Sequence, residues 1–342
     1  MKVNNCLITV FIPTYNRLEL LKRAVKSVFE CGIPVHLHIL DNCSNDGTSE
    51  WLETLEKNAP ISFKVTKNAN NIGATSNFSN GFDSVRTPYL VPLADDDELA
   101  PGFLLKAIDY AEKYNEIIAV VGSRAFKNRG EWLPNWNRNR TSGYLSSKLH
   151  MEEFLRYGHY VTWSAILWRT SVIQSNEIFH KSKRFGFASD IYFQFAAFLR
   201  GPVFIIPIPA ATFNITMGQD SSKVGLDAYS IRDFGDLINC MSIELMESSI
   251  FDTESQFKHL LNHTILGWAR FIRHNRIVAL KSRKTLELEL SFKEYINSFF
   301  PHIGFSDFPF FKELEKRNSF FKNLKFELKM LYDELLFKFL NR

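Results

Sequence analysis

The chain has 342 residues, of which 45% are hydrophobic and 23% are charged, a balance that is ordinary for a globular protein with a large buried core. Its formal net charge of +4 is too small to indicate nucleic acid as a partner, and none is expected. The four cysteines form no C-x-x-C pair and have no histidines at zinc-ligand spacing. We therefore expect reduced thiols, as in a cytoplasmic protein.

The apolar runs are too short for a membrane span or a secretory signal. Leu7–Ile12 leads directly into Pro13 and a polar loop, and Val203–Phe213 contains two prolines. These features also favour a cytoplasmic location.

The first hundred residues alternate strand-like and helix-like segments. Short runs rich in apolar and β-branched residues predict strands at 7–12, 35–40, 61–65 and 89–93. Helical spacing of apolar residues and turn residues before the segments predict helices at 18–29, 48–55 and 74–85. This alternation indicates an α/β fold whose mainly parallel sheet has helices on both faces.

The remainder of the chain divides into three stretches. Residues 123–168 show little periodicity and predict loops and short elements, whereas 191–199 predict an apolar helix. From residue 221 nearly to the end the pattern is helical, with an interruption at 302–309. The predicted organisation is an α/β domain over 1–220, with halves of about 1–100 and 101–220, and a helical C-terminal region over 221–342.

Polar segments follow three of the predicted strands: Pro13–Arg17, Asp41–Thr48 and Asp95–Asp97. Ligands of parallel sheets bind outside the carboxyl ends of the strands, so these segments predict one site. Three adjacent aspartates repel one another, and Mg²⁺ or Mn²⁺, completed by substrate phosphates, would relieve that repulsion. A solvated acidic turn is the alternative for the triplet.

Other nucleotide-binding classes are disfavoured. The chain contains neither G-x-G-x-x-G nor G-x-x-x-x-G-K-[ST], the phosphate loops of dinucleotide dehydrogenases and P-loop ATPases. A carboxylate such as Asp41, at the end of the second strand, can accept hydrogen bonds from a base or ribose. Asp46 before Gly47 is equally typical of a turn that only shapes the chain.

Four segments resemble, in order and spacing, family 2 glycosyltransferases with the GT-A fold. They are Thr9–Arg17, Leu40–Thr48, Asn71–Asn77 and Leu93–Pro101. The resemblance covers about the first 120 residues firmly and extends more loosely to about residue 220. It implies inverting transfer of a sugar from a nucleotide-diphosphate sugar, expected to be a UDP-sugar, to a hydroxyl of a glycan or lipid-linked glycan of the bacterial surface.

The same resemblance assigns roles to matching positions. Asp96 would be the main ligand of Mn²⁺ or Mg²⁺, and Asp190 would be the base that takes the proton from the acceptor hydroxyl. The nucleotide-sugar would contact Pro13, Thr14, Tyr15, Arg17, Asp41, Asn71, Gly73, Asn77, Asp95 and Asp97. The acceptor side would include Trp163, Ser164 and Trp168.

Three positions depart from the family's pattern. Ala94 stands where many relatives have Asp, and Ser189 replaces the Glu of a Glu-Asp pair. No His lies near Met217, so the third metal ligand is open, with Gln219 and Asp220 as candidates. These departures leave a non-catalytic nucleotide-sugar-binding or scaffold protein as the alternative function. For the predicted base the alternative is a helix cap, and for the tryptophans it is a place in the core.

The last third of the chain combines basic and aromatic residues. Residues 270–284 hold six Lys and Arg without an acidic residue, and Phe320–Leu340 mixes lysines with Phe and Leu. This composition suits helices that lie on an anionic membrane surface, which would make the protein peripheral on the inner face of the membrane. A packed helical subdomain or a homo-oligomer contact is the other interpretation.

Overall fold

The computed structural model describes residues 6–135, 140–157, 162–175 and 178–214, together with 237, 240–241, 243–245 and 247–252. The chain divides into two compact units, Met1–Val278 and Ala279–Arg342, and every described residue belongs to the first. Gln219, Asp220, the predicted membrane-surface segments and most of the predicted helical C-terminal region lie outside the described residues. The predictions made for them, and the predicted domain boundaries, stay predictions.

Within the described ranges the protein is an α/β fold built on a nine-stranded sheet. The strands are β1 (Ile8–Thr14), β2 (His36–Asp41), β3 (Ser62–Lys67), β4 (Tyr89–Pro92), β5 (Ala119–Asn128), β6 (Glu131–Pro134), β7 (Gly143–Leu145), β8 (Ile166–Arg169) and β9 (Val203–Thr212). The helices are α1 (Leu18–Phe29), α2 (Thr48–Asn58), α3 (Ala74–Ser84), α4 (Phe103–Lys113), α5 (Ser147–Tyr157), α6 (Thr170–Ser175), α7 (Ile178–Ser182) and α8 (Ser189–Phe198).

The strand order is β3-β2-β1-β4-β8-β5-β9-β7, with β6 pairing the far end of β5. Strands β1 to β4 are mutually parallel, whereas β8 is antiparallel to both of its neighbours, β4 and β5. Because β8 reverses the direction twice, β5 runs parallel to β4, and β9 is parallel to β5. The carboxyl ends of β1, β2, β4, β5 and β9 therefore lie on one edge of the sheet.

Strand β1 is buried along its whole length because helices cover both of its faces. On one face Val10 and Ile12 belong to a core that includes Val25 of α1. On the other face Phe11 meets Phe82 of α3 edge-on, with ring centroids 4.9 Å apart. Burial on both sides explains why this strand appears in the sequence as a continuous apolar run.

The elements predicted between residues 7 and 93 are confirmed, with ends that differ by at most a few residues. The prediction for 123–168 is confirmed for the short strands β6, β7 and β8, but it missed the eleven-residue helix α5. Helix α8 begins at Ser189, two residues earlier than predicted.

The run Val203–Phe213 is largely the sheet strand β9, which continues through both of its prolines. Proline cannot donate to the sheet, and the register between β5 and β9 shifts on either side of Ser123, which pairs with Pro209. In the part of the chain that the structure describes, no helix has the length and apolar content of a membrane span.

Candidate functional site

The loop after β2 is organised by Asp41, whose side chain is fully buried. Its Oδ1 accepts a hydrogen bond from the backbone N–H of Ser44 (3.0 Å), and its Oδ2 accepts one from the hydroxyl of Ser49 (2.7 Å). Gly47, with a φ of 91°, supplies the left-handed turn from which α2 starts. Asp41 thus shapes the loop at the carboxyl edge, and its predicted contact with a base stays a prediction.

Asp46 joins the first two helices. Its Oδ2 accepts a hydrogen bond from the N–H of Leu18 in the first turn of α1 (3.0 Å), and its Oδ1 accepts one from the hydroxyl of Thr48 (2.6 Å). Partial burial acts to raise the pKa of Asp46, but the hydrogen bonds outweigh it and lower the pKa. The structure supports the interpretation of Asp46 as a residue that shapes the chain.

The loops after β1 and β2 interlock. The N–H of Asn16 donates to the hydroxyl of Ser44 (3.0 Å), and the N–H of Asn45 donates to Oδ1 of Asn16 (2.8 Å). Asn16 has a φ of 52°, a left-handed conformation that costs free energy in a residue other than glycine. Among the predicted donor-binding residues on this stretch, Pro13 is buried and Tyr15 exposes 42% of its surface.

The segment Asp95–Asp97, which we call the acid loop, follows β4 at the same edge. Asp95 faces the loop after β1: Thr14 donates its hydroxyl to Oδ2 (2.9 Å), and Nη1 of Arg17 donates to Oδ1 (2.7 Å). Burial raises the pKa of Asp95 to about 6, although the Arg17 guanidinium acts to lower it. The structure therefore brings together three of the predicted site residues, Thr14, Arg17 and Asp95.

Asp97 faces the opposite way and is 2% exposed. Its Oδ2 accepts hydrogen bonds from the hydroxyls of Ser164 (2.8 Å) and Thr162 (3.3 Å), and its Oδ1 accepts one from the backbone N–H of Asn214 (3.1 Å). Burial, and then the neighbouring carboxylate of Asp96, raises the pKa of Asp97 to about 7. The hydrogen bonds act in the opposite direction because they favour the charged form.

Asp96 lies between these two arrangements. Nη1 of Arg17 approaches its Oδ2 at 3.1 Å, so one guanidinium serves both Asp95 and Asp96. Burial acts to lower the pKa of Arg17, but the two carboxylates outweigh it and raise the pKa. Arg17 therefore compensates part of the charge of Asp95 and Asp96, and hydrogen bonds from other elements serve Asp97. Relief of the remaining repulsion by a divalent cation stays a prediction.

The acid loop offers carboxylate oxygens, the donors that a divalent cation such as Mg²⁺ prefers. Among the described residues, no three His, Cys, Asp or Glu side chains converge on one point. The loop nevertheless holds three adjacent buried carboxylates, two of which share the single guanidinium of Arg17. One carboxylate together with substrate phosphates is a donor set that Mg²⁺ accepts. Asp96 fits that role.

A cluster of four asparagines fixes the segment between β3 and α3. Oδ1 of Asn42 accepts a hydrogen bond from Asn68 (2.9 Å), while Nδ2 of Asn42 donates to Asn71 (2.8 Å). Asn68 also donates to Asn77 (3.0 Å), and Asn71 accepts the N–H of Gly73, whose φ of 85° suits glycine. The predicted residues Asn71, Gly73 and Asn77 thus lie beside the end of β2, and their contacts with base and ribose stay predictions.

The three predicted acceptor-side residues have different environments. Ser164 is fully buried and reaches the site through its hydrogen bond to Asp97. Trp163 is 9% exposed and packs on Phe78, with ring centroids 4.4 Å apart. Trp168 is fully buried and stacks on Phe198. The covered ring of Trp168 agrees with the alternative of a place in the core, and its assignment to the acceptor side stays a prediction.

Asp190 lies in the first turn of α8, and its Oδ1 accepts a hydrogen bond from the N–H of Ile191 (2.9 Å). The N-terminal turn of a helix stabilises a carboxylate, which agrees with the helix-cap alternative. Its role as the base stays a prediction.

Several residues of the site were missed from the sequence: Asn42, Asn68, Thr162 and Asn214. Asn42 is next to Asp41 after a predicted strand, and the same carboxyl-edge argument could have found it. Thr162 and Asn214 contact Asp97 from 65 and 117 residues away, and no local pattern indicates such a pairing.

A mainly parallel sheet with interlocked polar loops and a buried acid loop at its carboxyl edge is the arrangement of a nucleotide-binding α/β domain. A sequence model described as "Glycosyl transferase family 2" matches residues 9–181, about half of the chain. The chain belongs to this family.

Two curated relatives are similar over parts of the chain. A Campylobacter jejuni protein named GalNAc(5)-diNAcBac-PP-undecaprenol beta-1,3-glucosyltransferase is 31% identical over 155 residues, which are 43% of this chain and 50% of the relative. A Salmonella typhimurium protein named abequosyltransferase RfbV is 29% identical over 114 residues, 32% of this chain and 34% of the relative. The chain thus spans half or less of the length of these relatives.

Solved structures show the likeness of the fold. The crystal structure of S. aureus TarS 1-349 in complex with UDP-GlcNAc superposes with a TM-score of 0.67 at 15% identity, over 87% of this chain and 82% of that one. A second crystal structure of S. aureus TarS 1-349 gives a TM-score of 0.65 at 14% identity, over 87% of this chain and 81% of that one. The predicted GT-A fold with a mainly parallel sheet is confirmed.

Proposed function

We propose that this protein is an inverting glycosyltransferase that moves a sugar from a nucleotide-diphosphate sugar to a hydroxyl group of an acceptor. The observation that carries the proposal is the acid loop. It is buried at the carboxyl edge and joined through Arg17 to the loop after β1, where a nucleotide diphosphate would bind. Membership of glycosyl transferase family 2 agrees with this chemistry.

The choice of donor and acceptor draws on the relatives. TarS is described in complex with UDP-GlcNAc, which supports UDP as the nucleotide. The Campylobacter relative is named for a substrate linked through PP to undecaprenol, which supports a lipid-linked glycan as the acceptor.

The roles of the residues follow from their positions. The loops that hold Asp41 and the asparagine cluster would take the base and ribose, and Arg17 would offset part of the negative charge of Asp95 and Asp96 beside the diphosphate. A divalent cation at Asp96, Mn²⁺ or Mg²⁺, would supply counter-charge to the leaving diphosphate. Asp190 would accept the acceptor's hydroxyl proton as the new bond to the anomeric carbon forms and the bond to the diphosphate breaks.

Activity against a panel of UDP-sugars, with Asp96→Asn beside the wild type, tests the proposal. We expect donor consumption to depend on added Mn²⁺ or Mg²⁺ and to fall by about a hundredfold or more in Asp96→Asn, because the diphosphate loses its counter-charge. Asp109→Asn, which changes an exposed carboxylate of α4, is the matched control and should behave as the wild type.

Three outcomes separate the alternatives. Full activity of Asp96→Asn, or of the wild type in excess chelator, would remove the metal from the proposal. Binding of UDP-sugars without any turnover would identify the chain as a non-catalytic nucleotide-sugar-binding protein. A product with the donor's anomeric configuration, read by NMR, would replace inversion with retention.

A membrane-surface role for the last segment is a separate proposal that rests on composition. Phe320–Leu340 mixes lysines with Phe and Leu, and each basic residue adds about 1 kcal/mol of attraction to an anionic surface. Truncation after Ser319 should release the protein from anionic liposomes and leave transfer to a water-soluble acceptor intact. A truncated protein that binds liposomes equally well would contradict this, and one that loses self-association would favour an oligomer contact.

A further inference from the structure

Arg124 lies at the same edge of the sheet as the acid loop, on the side of the acceptor half. It pairs with Ala211 in the carboxyl-terminal part of β5, and the adjoining end of β9 leads into Phe213 and Asn214. Asn214 is the residue whose backbone N–H binds Asp97. The position of Arg124 is therefore fixed relative to Asp97 by two parallel strands.

The guanidinium of Arg124 lies over the ring of Phe213, 4.2 Å from its centroid. This ring is 40% exposed, so it forms a platform at the surface rather than a part of the core. Among the described residues, the guanidinium has no hydrogen bond and no carboxylate within ion-pair distance. The five N–H donors of this partly buried side chain thus have no acceptor in the part of the chain that the structure describes.

Partial burial of a guanidinium without hydrogen-bond acceptors costs free energy because the charged group loses water contacts. It lowers the pKa of Arg124, and the carboxylate of Asp97 only partly opposes the effect. Asp97 is already engaged by Ser164, Thr162 and Asn214, so it is not a direct partner for the guanidinium. An anion bound at Arg124 would supply the missing acceptors.

Lys127, three residues further along β5, is a second cation on this strand, and its surroundings differ from those of Arg124. Its ammonium also lies over an aromatic ring, that of Trp132, at 4.5 Å from the centroid. Unlike Arg124, it forms an ion pair, with Glu98. Strand β5 therefore carries Lys127, which is paired with a carboxylate, and Arg124, which has no carboxylate within ion-pair distance among the described residues.

We propose that Arg124, held on Phe213, is a subsite for a phosphate group of a substrate. This inference rests on the proposed transfer from a nucleotide-diphosphate sugar. The phosphate has two sources in that reaction, the diphosphate of the donor and the diphosphate of a lipid-linked acceptor. A planar guanidinium stacked on an aromatic ring is preorganised for bidentate contact with either.

Calorimetry with two probes tests the subsite and identifies the source. UDP represents the donor, farnesyl diphosphate represents a lipid diphosphate, and uridine and farnesol are their phosphate-free counterparts. We expect Arg124→Gln to weaken the binding of one diphosphate by about tenfold or more, because a charge-assisted hydrogen bond is lost. Arg124→Lys should recover part of the loss, and Lys127→Gln, the matched control, should change neither affinity.

Each result assigns or rejects the subsite. A loss confined to UDP places the donor diphosphate at Arg124, and a loss confined to farnesyl diphosphate places the acceptor's lipid diphosphate there. Unchanged affinity for both probes in an Arg124→Gln variant that melts like the wild type would overturn the inference and leave the proposed function standing. A wild type that binds neither probe would overturn the inference, and the absence of UDP-sugar turnover would then reject the proposed function separately.

Discussion

Asp95 and Asp97 are two residues apart, yet different halves of the molecule hold them. Asp95 is bound by Thr14 and Arg17, which come from the regular parallel half, β1 to β4. Asp97 is bound by Ser164 and by the backbone of Asn214, which come from the half that contains the antiparallel strand β8. The acid loop therefore forms hydrogen bonds with both halves and connects them.

The two halves also compensate charge differently. In the first half an arginine faces the carboxylate, whereas in the second half hydroxyl and amide groups do. Burial raises the pKa of both carboxyls, that of Asp95 to about 6 and that of Asp97 to about 7. The Arg17 guanidinium opposes this effect at Asp95, and the hydrogen bonds oppose it at Asp97.

The largest effect is expected from Asp190→Asn, which removes a proton acceptor of the second half and keeps the size of the side chain. If Asp190 is the base, turnover should fall by about a hundredfold or more while UDP affinity is unchanged. Steady-state kinetics would measure the turnover, and calorimetry on the same preparation would measure the UDP affinity. Normal turnover in a folded variant would reduce Asp190 to a residue that stabilises the start of α8.

Arg17→Gln tests the first half. It removes the guanidinium that faces the buried carboxylates of Asp95 and Asp96, so the free energy of unfolding should fall by about 3 kcal/mol in urea denaturation. Arg17→Lys, which keeps the charge, should lose less. An unchanged unfolding midpoint would mean that water compensates these carboxylates and that the comparison of the halves is wrong.

Ser164→Ala tests the second half with a smaller expected loss. Removing the hydroxyl takes one of the donors from a buried carboxylate and should cost about 1.5–2 kcal/mol. Thr54→Ala, which changes an exposed hydroxyl on α2, is the control.

The double variant Arg17→Gln/Ser164→Ala measures the coupling free energy between the two halves. Additive losses, within about 0.5 kcal/mol, would mean that the halves act independently, and a departure would mean that they couple through the acid loop.

The smallest effect is a pH dependence in the first half. Burial lowers the pKa of His38 to about 4, and its ring is bonded to Ser84 and Thr66. Between about pH 6.5 and pH 4 the unfolded chain binds a proton that the folded protein does not, so stability falls as the pH falls through this range. The raised pKa values of Asp95 and Asp97 act in the opposite direction over the same range, so the contribution of His38 is read as the difference between the wild type and His38→Gln. We expect His38 to contribute a loss of about 1–2 kcal/mol between pH 8 and pH 5 in urea denaturation, which His38→Gln should remove. A difference between the two proteins that does not change with pH would contradict the assignment.

The parallel half could be predicted from the sequence because its signals are local. The strand before Pro13 and the turn around Gly47 are specified by residues within a few positions of each other, and the structure confirms them. The carboxyl-edge rule then placed Asp41 and the acid loop on one edge without any knowledge of side-chain contacts.

The second half could not be predicted to the same depth. Strand β8 pairs antiparallel between two strands that run the other way, and the alternation of elements along the chain does not indicate that position. Trp168 illustrates the consequence, since a tryptophan near a sugar site and a tryptophan in a core look alike in sequence. The partners of Asp97 depend on the same unpredicted pairing, because Ser164 comes just before β8.

The bond between Asn214 and Asp97 spans 117 residues, and this separation has a consequence for synthesis. While the ribosome extends the chain, β1 to β4 are complete more than a hundred residues before β9, so Asp97 emerges long before its last partner. Contacts of such long range form late and slow folding. A nascent chain that has reached only residue 150 would hold an unfinished acid loop with an exposed sheet edge at β4, which makes this interval the one in which a chaperone would matter most.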